Sequence, residues 1–544
     1  MKEINKNTIA FMLLLLVTNS IAQVFTPKWE TCLGGSAWDE GTGIIFVDST
    51  FWAIAETNSS DGNIFFNHGS FDVWLTQIDK FGNLISEKTY GGSYADGGFT
   101  AIKKLNDSVF YIVTTSSSVD GDISYNPWPG PSDNLWVLEI NKQGNILWEL
   151  MTGGSKTEEL RDIRVTADGG VLLLAFTSSY DGDVTGYHGG YDLWLTKIDS
   201  TGQKQWSKCL GGTGLEDGGS VIQTSDRGYM VVGDTDGKGG GNYDSTCNHH
   251  NPGSGWVDAW VVKLDSVGNI EWQQCYGGTY HDFGNNVIEL TDGYVILGST
   301  MSNDGDVSGL HDPPGNSDNS GDIWVFKIDK TGNLLWQKCL GGTNNDFARN
   351  IFTTSDGGFM IVGSTDSNDG DVEGFHGEIP GFSLHDIWFV KIDSVGNPVW
   401  QYCYGGELDE MIYRGVCQKS DWDYVLAIAT GTTDWKCYPS SMYDLRVSEL
   451  YDSTMVNLTE PKININKVKV YPNPANSVLN VELSNTPRAN TTSIEVIDIN
   501  GKRVLKYIPK CKISHFTINQ LKSGLYLVKI QTGNTVTTQR IIKR

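Results

Sequence analysis

Asp322-Ile-Trp-Val-Phe-Lys-Ile-Asp329-Lys-Thr-Gly-Asn333-Leu-Leu-Trp336-Gln-Lys-Cys339-Leu-Gly-Gly342-Thr-Asn-Asn-Asp346 holds two alternating segments, a tight turn between them, a double glycine and an acid four residues further on. Alternation of apolar and polar side chains reads as strand, and Lys-Thr-Gly-Asn as the turn of a hairpin. The block recurs seven times. Its glycine pairs end at Gly35, Gly92, Gly154, Gly212, Gly278, Gly342 and Gly406, followed by the acids Asp39, Asp96, Glu158, Glu216, Asp282, Asp346 and Glu410. Trp74, Trp136, Trp194, Trp260, Trp324 and Trp388 mark the third strand of each repeat, with Arg446 in the seventh slot, at spacings of 62, 58, 66, 64, 64 and 58 residues. A repeat of this length made of short strands predicts an all-β chain, a seven-bladed β-propeller with one blade per repeat.

In the fifth repeat the predicted strands are Asn285–Leu290, Tyr294–Thr300, Asp322–Asp329 and Leu334–Leu340. The seventh has its third strand at Asp444–Leu450 but no fourth after it. Lys28-Trp-Glu-Thr-Cys32-Leu-Gly-Gly35, ahead of the first full repeat, supplies the missing piece and is expected to close the ring, leaving no open strand edge. The register gathers the long insertions Asn126–Asn134, Gly237–Asp258, His311–Gly321 and Gly377–His385 on one face, where binding normally resides.

The ends have other tasks. Lys2 and Lys6 precede the apolar run Ile9–Val17, too short to span a bilayer, and Ser20-Ile21-Ala22 offers a cleavage site, so residues 1–22 read as a signal peptide. No later stretch is apolar enough for a transmembrane helix. Residues 461–544 carry 14 Lys+Arg against 3 Asp+Glu, a formal +11, while the remainder is −36. That asymmetry separates a propeller at 23–452 from a domain at 467–544, joined by the linker 453–466. The second domain reads as a small immunoglobulin-like β-sandwich, with a hairpin turn at Asn500-Gly501.

Four blocks in that domain, Tyr471-Pro472-Asn473-Pro474-Ala, Asn500-Gly501-Lys-Arg-Val, Leu521-x-x-Gly524-Leu-Tyr526-Leu-Val and the terminal Lys-Arg, resemble the C-terminal sorting domain of type IX secretion substrates of Bacteroidota. The resemblance implies recognition by the type IX translocon and its surface-processing machinery, removal of the tail, and a secreted or surface-anchored product. The blades resemble, in architecture, the secreted bacterial propellers with Gly-Gly and Gly-Asn signatures.

Of nine cysteines, Cys32, Cys209, Cys275, Cys339 and Cys403 share one place on the fourth strand, too far apart for bridging and expected to pack as buried thiols. Cys417 and Cys437 share the seventh blade and are candidates for a pair. Cys247, His249 and His250 lack the second ligand pair of a recognised zinc site. The seven acids after the glycine pairs form a collar, either as acceptors of backbone N–H groups or as an anionic channel mouth for a cation or basic partner.

Asp181-Gly-Asp183-Val-Thr185-Gly, closed by Asp192, has the spacing of a calcium loop. Asp304, Asp306 and Ser308 with Asp322, and Asp369, Asp371 and Glu373 with Asp386, repeat it with the closing acid displaced. The loops locally resemble those of EF-hand and dockerin modules, which implies Ca2+ as a cofactor. Repeated Asp-Gly turns with acids facing water or capping backbone groups are the competing reading.

No Gly-x-Ser-x-Gly elbow, His-Glu-x-x-His or P-loop is present, no catalytic residue is singled out, and the acidic charge argues against nucleic acid. The sequence therefore points to an exported recognition or adhesion protein that binds a glycan or a protein through its loop-rich face. Trp128, Tyr243, Trp256, Phe375 and Phe382 are the aromatics available in the insertions. A polysaccharide-active enzyme is the alternative, with Asp409 and Glu410 and the segment 244–258 as its irregular candidates, and a purely architectural surface component is the third reading.

Overall fold

The computed structural model describes residues 25–543 except 129–131, 239–240, 243–246, 248–255, 312–320, 378–383, 407–408, 431–442, 453–467, 472–476, 484–491, 499–501, 510–512, 523 and 533–534. The signal peptide, the linker and parts of the insertions, with Tyr243 and Phe382, lie outside the described residues. Among the described residues every regular element is a strand, and the chain divides into two compact units, 1–452 and 453–544.

The first unit is a β-propeller. Its described residues form seven antiparallel sheets in chain order, six of them four-stranded. The first comprises Asp39–Val47, Thr50–Thr57, Asp72–Asp79 and Leu84–Tyr90. In the seventh, Phe25–Leu33 pairs antiparallel with Asp444–Asp452, Cys32 lying opposite Arg446. The inner strand of the first sheet packs on Asp423–Thr430 of the seventh, so the ring is closed by strands from both ends of the unit.

Each third-strand tryptophan is completely buried between adjacent sheets. Its indole N–H donates to a side chain on the fourth strand thirteen residues on: Glu87, Glu149, Ser207, Gln273, Gln337 or Gln401, at 2.7–3.1 Å. A large apolar ring is thereby packed without leaving a buried donor unmatched. The hairpins joining third and fourth strands share a second device. In Asp329-Lys-Thr-Gly-Asn333 the aspartate accepts from the N–H groups of Thr331 and Asn333, while Gly332 takes a left-handed φ of 91°.

Inner strands begin at the collar acid, three residues earlier than alternation alone indicates. The fifth blade's runs Asp282–Leu290, because Asp282 already pairs with Thr300. Each of the first six inner strands then slips register within five residues of that acid, as between Gly284 and Asn286 or Ala348 and Asn350. Such a bulge turns one side chain out of the pleat. In the seventh blade the strand breaks altogether, into Glu410–Met411 and Val416–Ser420.

The cysteine expectation needs two corrections. Cys275 is bonded to Cys247, with Cα atoms 5.0 Å apart, because the insertion carrying Cys247 folds back onto the fourth strand of its own blade. Cys32 is also disulfide-bonded rather than a packed thiol. Cys209, Cys339, Cys403 and Cys417 are free; Cys437, the candidate partner of Cys417, lies outside the described residues.

The second unit is a two-sheet sandwich. One sheet contains Val468–Tyr471, Val478–Leu483 and Ile513–Thr517; the other Thr492–Asp498, Arg503–Tyr507, Gly524–Thr532 and Thr535–Lys543. Leu479, Val481, Ile494, Val496, Val528 and Ile530 form its core.

Candidate functional site in the central channel

The junction between fifth and sixth blades explains the repeated signature. A Cβ on Gly341 would stand 2.4 Å from Asp346 Oδ2 and 2.9 Å from Asp322 Oδ1, and one on Gly342 would stand 2.5 Å from Asp369 Oδ1. Only glycine fits between these carboxylates. Asp346 Oδ2 accepts from Gly342 N–H at 2.8 Å and from Ser367 at 2.9 Å. Asp369 accepts from the N–H of Thr343, and Asp371 N–H donates to Gly341 O. Double glycine, collar acid and Asp-Gly-Asp loop are thus three parts of one junction. Asp39, Asp96, Glu158, Glu216, Asp282 and Glu410 accept the N–H of their own second glycine in the same way.

Burial beside a second carboxylate has an electrostatic consequence. It raises Asp96 to about 6, Glu216, Asp282 and Asp346 to about 7, and Glu410 to about 8. Asp39 and Glu158 shift upward for the same reason.

The calcium-loop residues face separate partners. Asp181 accepts from Ser155 N–H at 2.8 Å, Asp183 from Thr152 Oγ1 at 2.8 Å and from Lys204, and Asp192 from His188. Thr185 donates to Ser207 O. Asp304 and Asp306 accept from Thr279 and Gly277 N–H, Ser308 meets Gln337, and Asp322 meets His311. Glu373 is exposed, its backbone carbonyl accepting from Gln401, and Asp386 accepts from His376. Among the described residues no three His, Cys, Asp or Glu side chains converge to hold a metal ion.

Convergence occurs in the channel. A cavity of about 530 Å³ lies at its centre, bordered by the starts of the inner strands and by Met301 and Gly321 of the long-loop face. The inner-strand bulges deliver its distinctive side chains. Phe99, Arg161, Asn285 and Arg349 stand three residues after their collar acids, and Tyr413 at the equivalent place in the broken strand. Next to them, Glu56 and Asp234 face the cavity from second strands. Phe99 and Phe347 keep 42% and 36% of their surface exposed.

Charges in this cup are arranged unequally. Arg161 donates to Asp217 and Glu159, and its guanidinium lies 4.7 Å from the Phe99 ring centre and 4.6 Å from that of Phe176. Arg414 crosses the axis from the seventh blade to pair with Asp162 of the third at 3.0 Å and to donate to Gly219 O of the fourth. Burial alone would raise Asp162, but Arg164, Arg414 and Lys103 hold it at about 2. The Arg414 segment is tightly seated: a Cβ on Gly415 would lie 1.9 Å from Ala427 O. Burial raises Glu56 to about 8, against the opposing N–H of Gly98, and raises Asp234 well above the usual range, helped by Asp217.

None of these channel residues was singled out from the sequence. Their signal is variation within a strict repeat: three residues past the collar acid stand Thr42, Phe99, Arg161, Gly219, Asn285, Arg349 and Tyr413. Of the irregular candidates, most of 244–258 lies outside the described residues, and Asp409 and Glu410 do not line the cavity. Asp409 accepts from His385 at 2.8 Å, and Glu410 serves the collar. Trp128 packs over Gly182, Trp256 stacks edge-on against His281, and Phe375 lies against Gly377.

In the sorting blocks, Tyr471 ends the first strand of the sandwich and Gly524 opens the strand containing Tyr526. Tyr526 Oη donates to Lys522 O at 3.0 Å. Pro472, Asn473, Pro474 and Gly501 lie outside the described residues.

Residues 469–544 match the family of secretion system C-terminal sorting domains. The regulatory protein FlaEY of Caulobacter vibrioides is 28% identical over 239 residues, 43% of this chain and 24% of that protein, so the chain spans about a quarter of its relative's length. PorZ, a surface component of the type IX secretion system of Porphyromonas gingivalis, is similar over 93% of this chain and 75% of its own, at 10% identity and a TM-score of 0.27. The β-propeller domain of the Trilobed protease of Pyrococcus furiosus is similar over 76% of this chain and 96% of its own, at 7% identity and a TM-score of 0.39. Four sequence blocks and a family match fall on one sandwich, and they make the chain a type IX secretion substrate: a β-propeller protein whose C-terminal sorting domain sends it to the cell surface or beyond.

Proposed function

We propose that the exported propeller is a recognition module that seats a glycan in the central cup on its loop-rich face. One observation carries the reading: the channel-facing positions differ from blade to blade, and they assemble Phe99, Phe347 and Tyr413 with Glu56, Asp234 and Arg349 around about 530 Å³. Pockets for small ligands run to about 300–1,000 Å³ and combine apolar walls with a few convergent polar groups. Exposed aromatic faces suit the C–H faces of sugar rings. Neutral carboxyls both donate and accept, as hydroxyls do.

Calcium enters this reading at the loop 181–192, where the Lys204 ammonium now stands against Asp183. A glycan array probed with the full chain, once in calcium and once in chelator, tests both parts. Specific hits lost in Phe99→Ala and Phe347→Ala proteins support the cup. Hits that persist in both variants move binding to the loops, and a blank array moves it to a protein ligand.

A polysaccharide hydrolase is the second reading, favoured by Glu56, a cavity acid that burial keeps protonated to about pH 8, as a general acid must be. Release of reducing ends from a bound polysaccharide, abolished in Glu56→Gln, would establish it in place of simple binding.

A further inference from the structure

Among the three cup guanidiniums, only one lacks an anionic partner. Arg161 is committed to Asp217 and Glu159, and Arg414 to Asp162. Arg349 has no ion pair among the described residues, and its buried Nε has no hydrogen-bond partner. Its guanidinium carbon lies 5.5 Å from the Phe347 ring centre and 5.7 Å from that of Tyr413, so two aromatic walls hold the cation at the cavity. A guanidinium does not shed its proton in a protein, so burial cannot neutralise it and leaves it an unmatched charge. Burial does push its pKa down, with only the Tyr413 hydroxyl opposing.

Such a cation is matched by a planar anion. A carboxylate accepts two parallel N–H bonds from a guanidinium, and the fork geometry fixes its orientation. The surroundings narrow the class further. Phe99 and Phe347 expose ring faces for a sugar's apolar side, while Glu56, Asp234 and Asn285 offer hydrogen bonds to hydroxyls. The rest of the propeller is strongly acidic, a formal −36 outside residues 461–544. A long polyanion would meet strong repulsion before reaching the cup, whereas a short saccharide with only a few carboxylates meets far less.

We propose that Arg349 binds the carboxylate of a uronic-acid residue at the end of a short saccharide seated in the cup. This deepens the glycan reading above and rests on it. Phe347 and Tyr413 hold the guanidinium in place, and the Arg414–Asp162 pair bounds the cup across the axis.

The test is calorimetric titration of the full chain with trigalacturonate, with its carboxyl-reduced counterpart, and with triglutamate. Trigalacturonate should bind about tenfold or more tighter than the reduced sugar, the scale of a charge-assisted bidentate contact. Arg349→Gln should remove that advantage, and Arg349→Lys should restore part of it. Thermal melts of each variant report folding, and the wild-type comparison of the two sugars needs no variant. Equal affinity for both sugars overturns the carboxylate assignment while leaving glycan recognition standing. Binding of neither sugar overturns both. Binding of triglutamate alone, dependent on Arg349, assigns the site to an acidic peptide and overturns the saccharide.

Discussion

Arg446 Nη2 lies 2.6 Å from Glu30 Oε1, joining the strand that ends the propeller to the strand that begins it. Arg446 occupies the slot filled by tryptophan in the other six blades. Glu30 follows Trp29 as Gln337 follows Trp336, so the pair is the seventh version of the indole-to-fourth-strand hydrogen bond. Tyr404 Oη closes the group, 2.6 Å from Arg446. Removing one member of a buried ion pair costs about 3–5 kcal/mol. Glu30→Ala should therefore lower unfolding free energy by about 3 kcal/mol in urea denaturation. The double variant Arg446→Trp with Glu30→Gln rebuilds the pair used in blades four to six and should recover most of that loss. A double variant no more stable than Glu30→Ala would show that the slot is shaped for arginine.

The collar makes stability depend on pH in the direction opposite to most salt-bridged proteins. A carboxyl whose folded pKa is raised favours folding fully below its unfolded pKa near 4, and loses that contribution as pH climbs through the folded value. Asp96, Glu216, Asp282, Asp346 and Glu410 titrate at about 6 to 8 in the fold. His311 shifts upward through its hydrogen bond to Asp322, and a raised histidine also favours folding at low pH. Both effects have one sign from pH 8 down to 5.5, and the melting temperature should rise over that interval by on the order of 5 °C. Below about pH 4 the turn aspartates, whose pKa values are depressed by N–H donors, reverse the trend. A flat melting profile between pH 8 and 5.5 would mean that the collar carboxylates are solvated.

Cys247–Cys275 closes a loop of 28 residues within one blade. Loop-closure entropy for that length is worth about 3.5 kcal/mol. Reduction should expose the 237–258 insertion to limited proteolysis before the ring unfolds, and a Cys247→Ser, Cys275→Ser protein should show the same early cleavage without reductant. Identical cleavage of oxidised and reduced protein would leave the bond no role in holding the insertion.

Lys204 is ion-paired with Asp183, the carboxylate a calcium ion in this loop would need. Any cation must displace it, so Lys204→Gln should enlarge the calcium-induced rise in melting temperature relative to the wild type. An unchanged or absent rise in the variant would remove the loop 181–192 from consideration as a calcium site.

The blades, the closing strand and the sorting tail were legible because each rests on a periodic or contiguous signal. Trp324, Gly342 and Asp346 recur in register, and Lys28 to Gly35 reads as a fourth strand wherever it stands in the chain. The cup was not legible, for a physical reason. A two-residue period assigns faces only while register holds, and the bulges beside Arg161, Asn285 and Arg349 break it where side chains turn toward the axis. The acids that draw attention in the sequence, Asp181 and Asp346 among them, recur because they brace the junctions between blades. The Cys247–Cys275 bond escaped because the turn-back of a long insertion has no sequence period.

The strand that completes the seventh sheet also sets a schedule. Phe25–Leu33 is the first strand of the propeller to be made, and Asp444–Asp452, its partner, the last. Through nearly the whole of synthesis, the ring has two unpaired ends. A partly delivered chain stays unlatched, threadable and open to holding factors, and only a chain delivered almost in full can buckle. The same seam that gives the finished propeller its closure keeps the travelling chain from closing early.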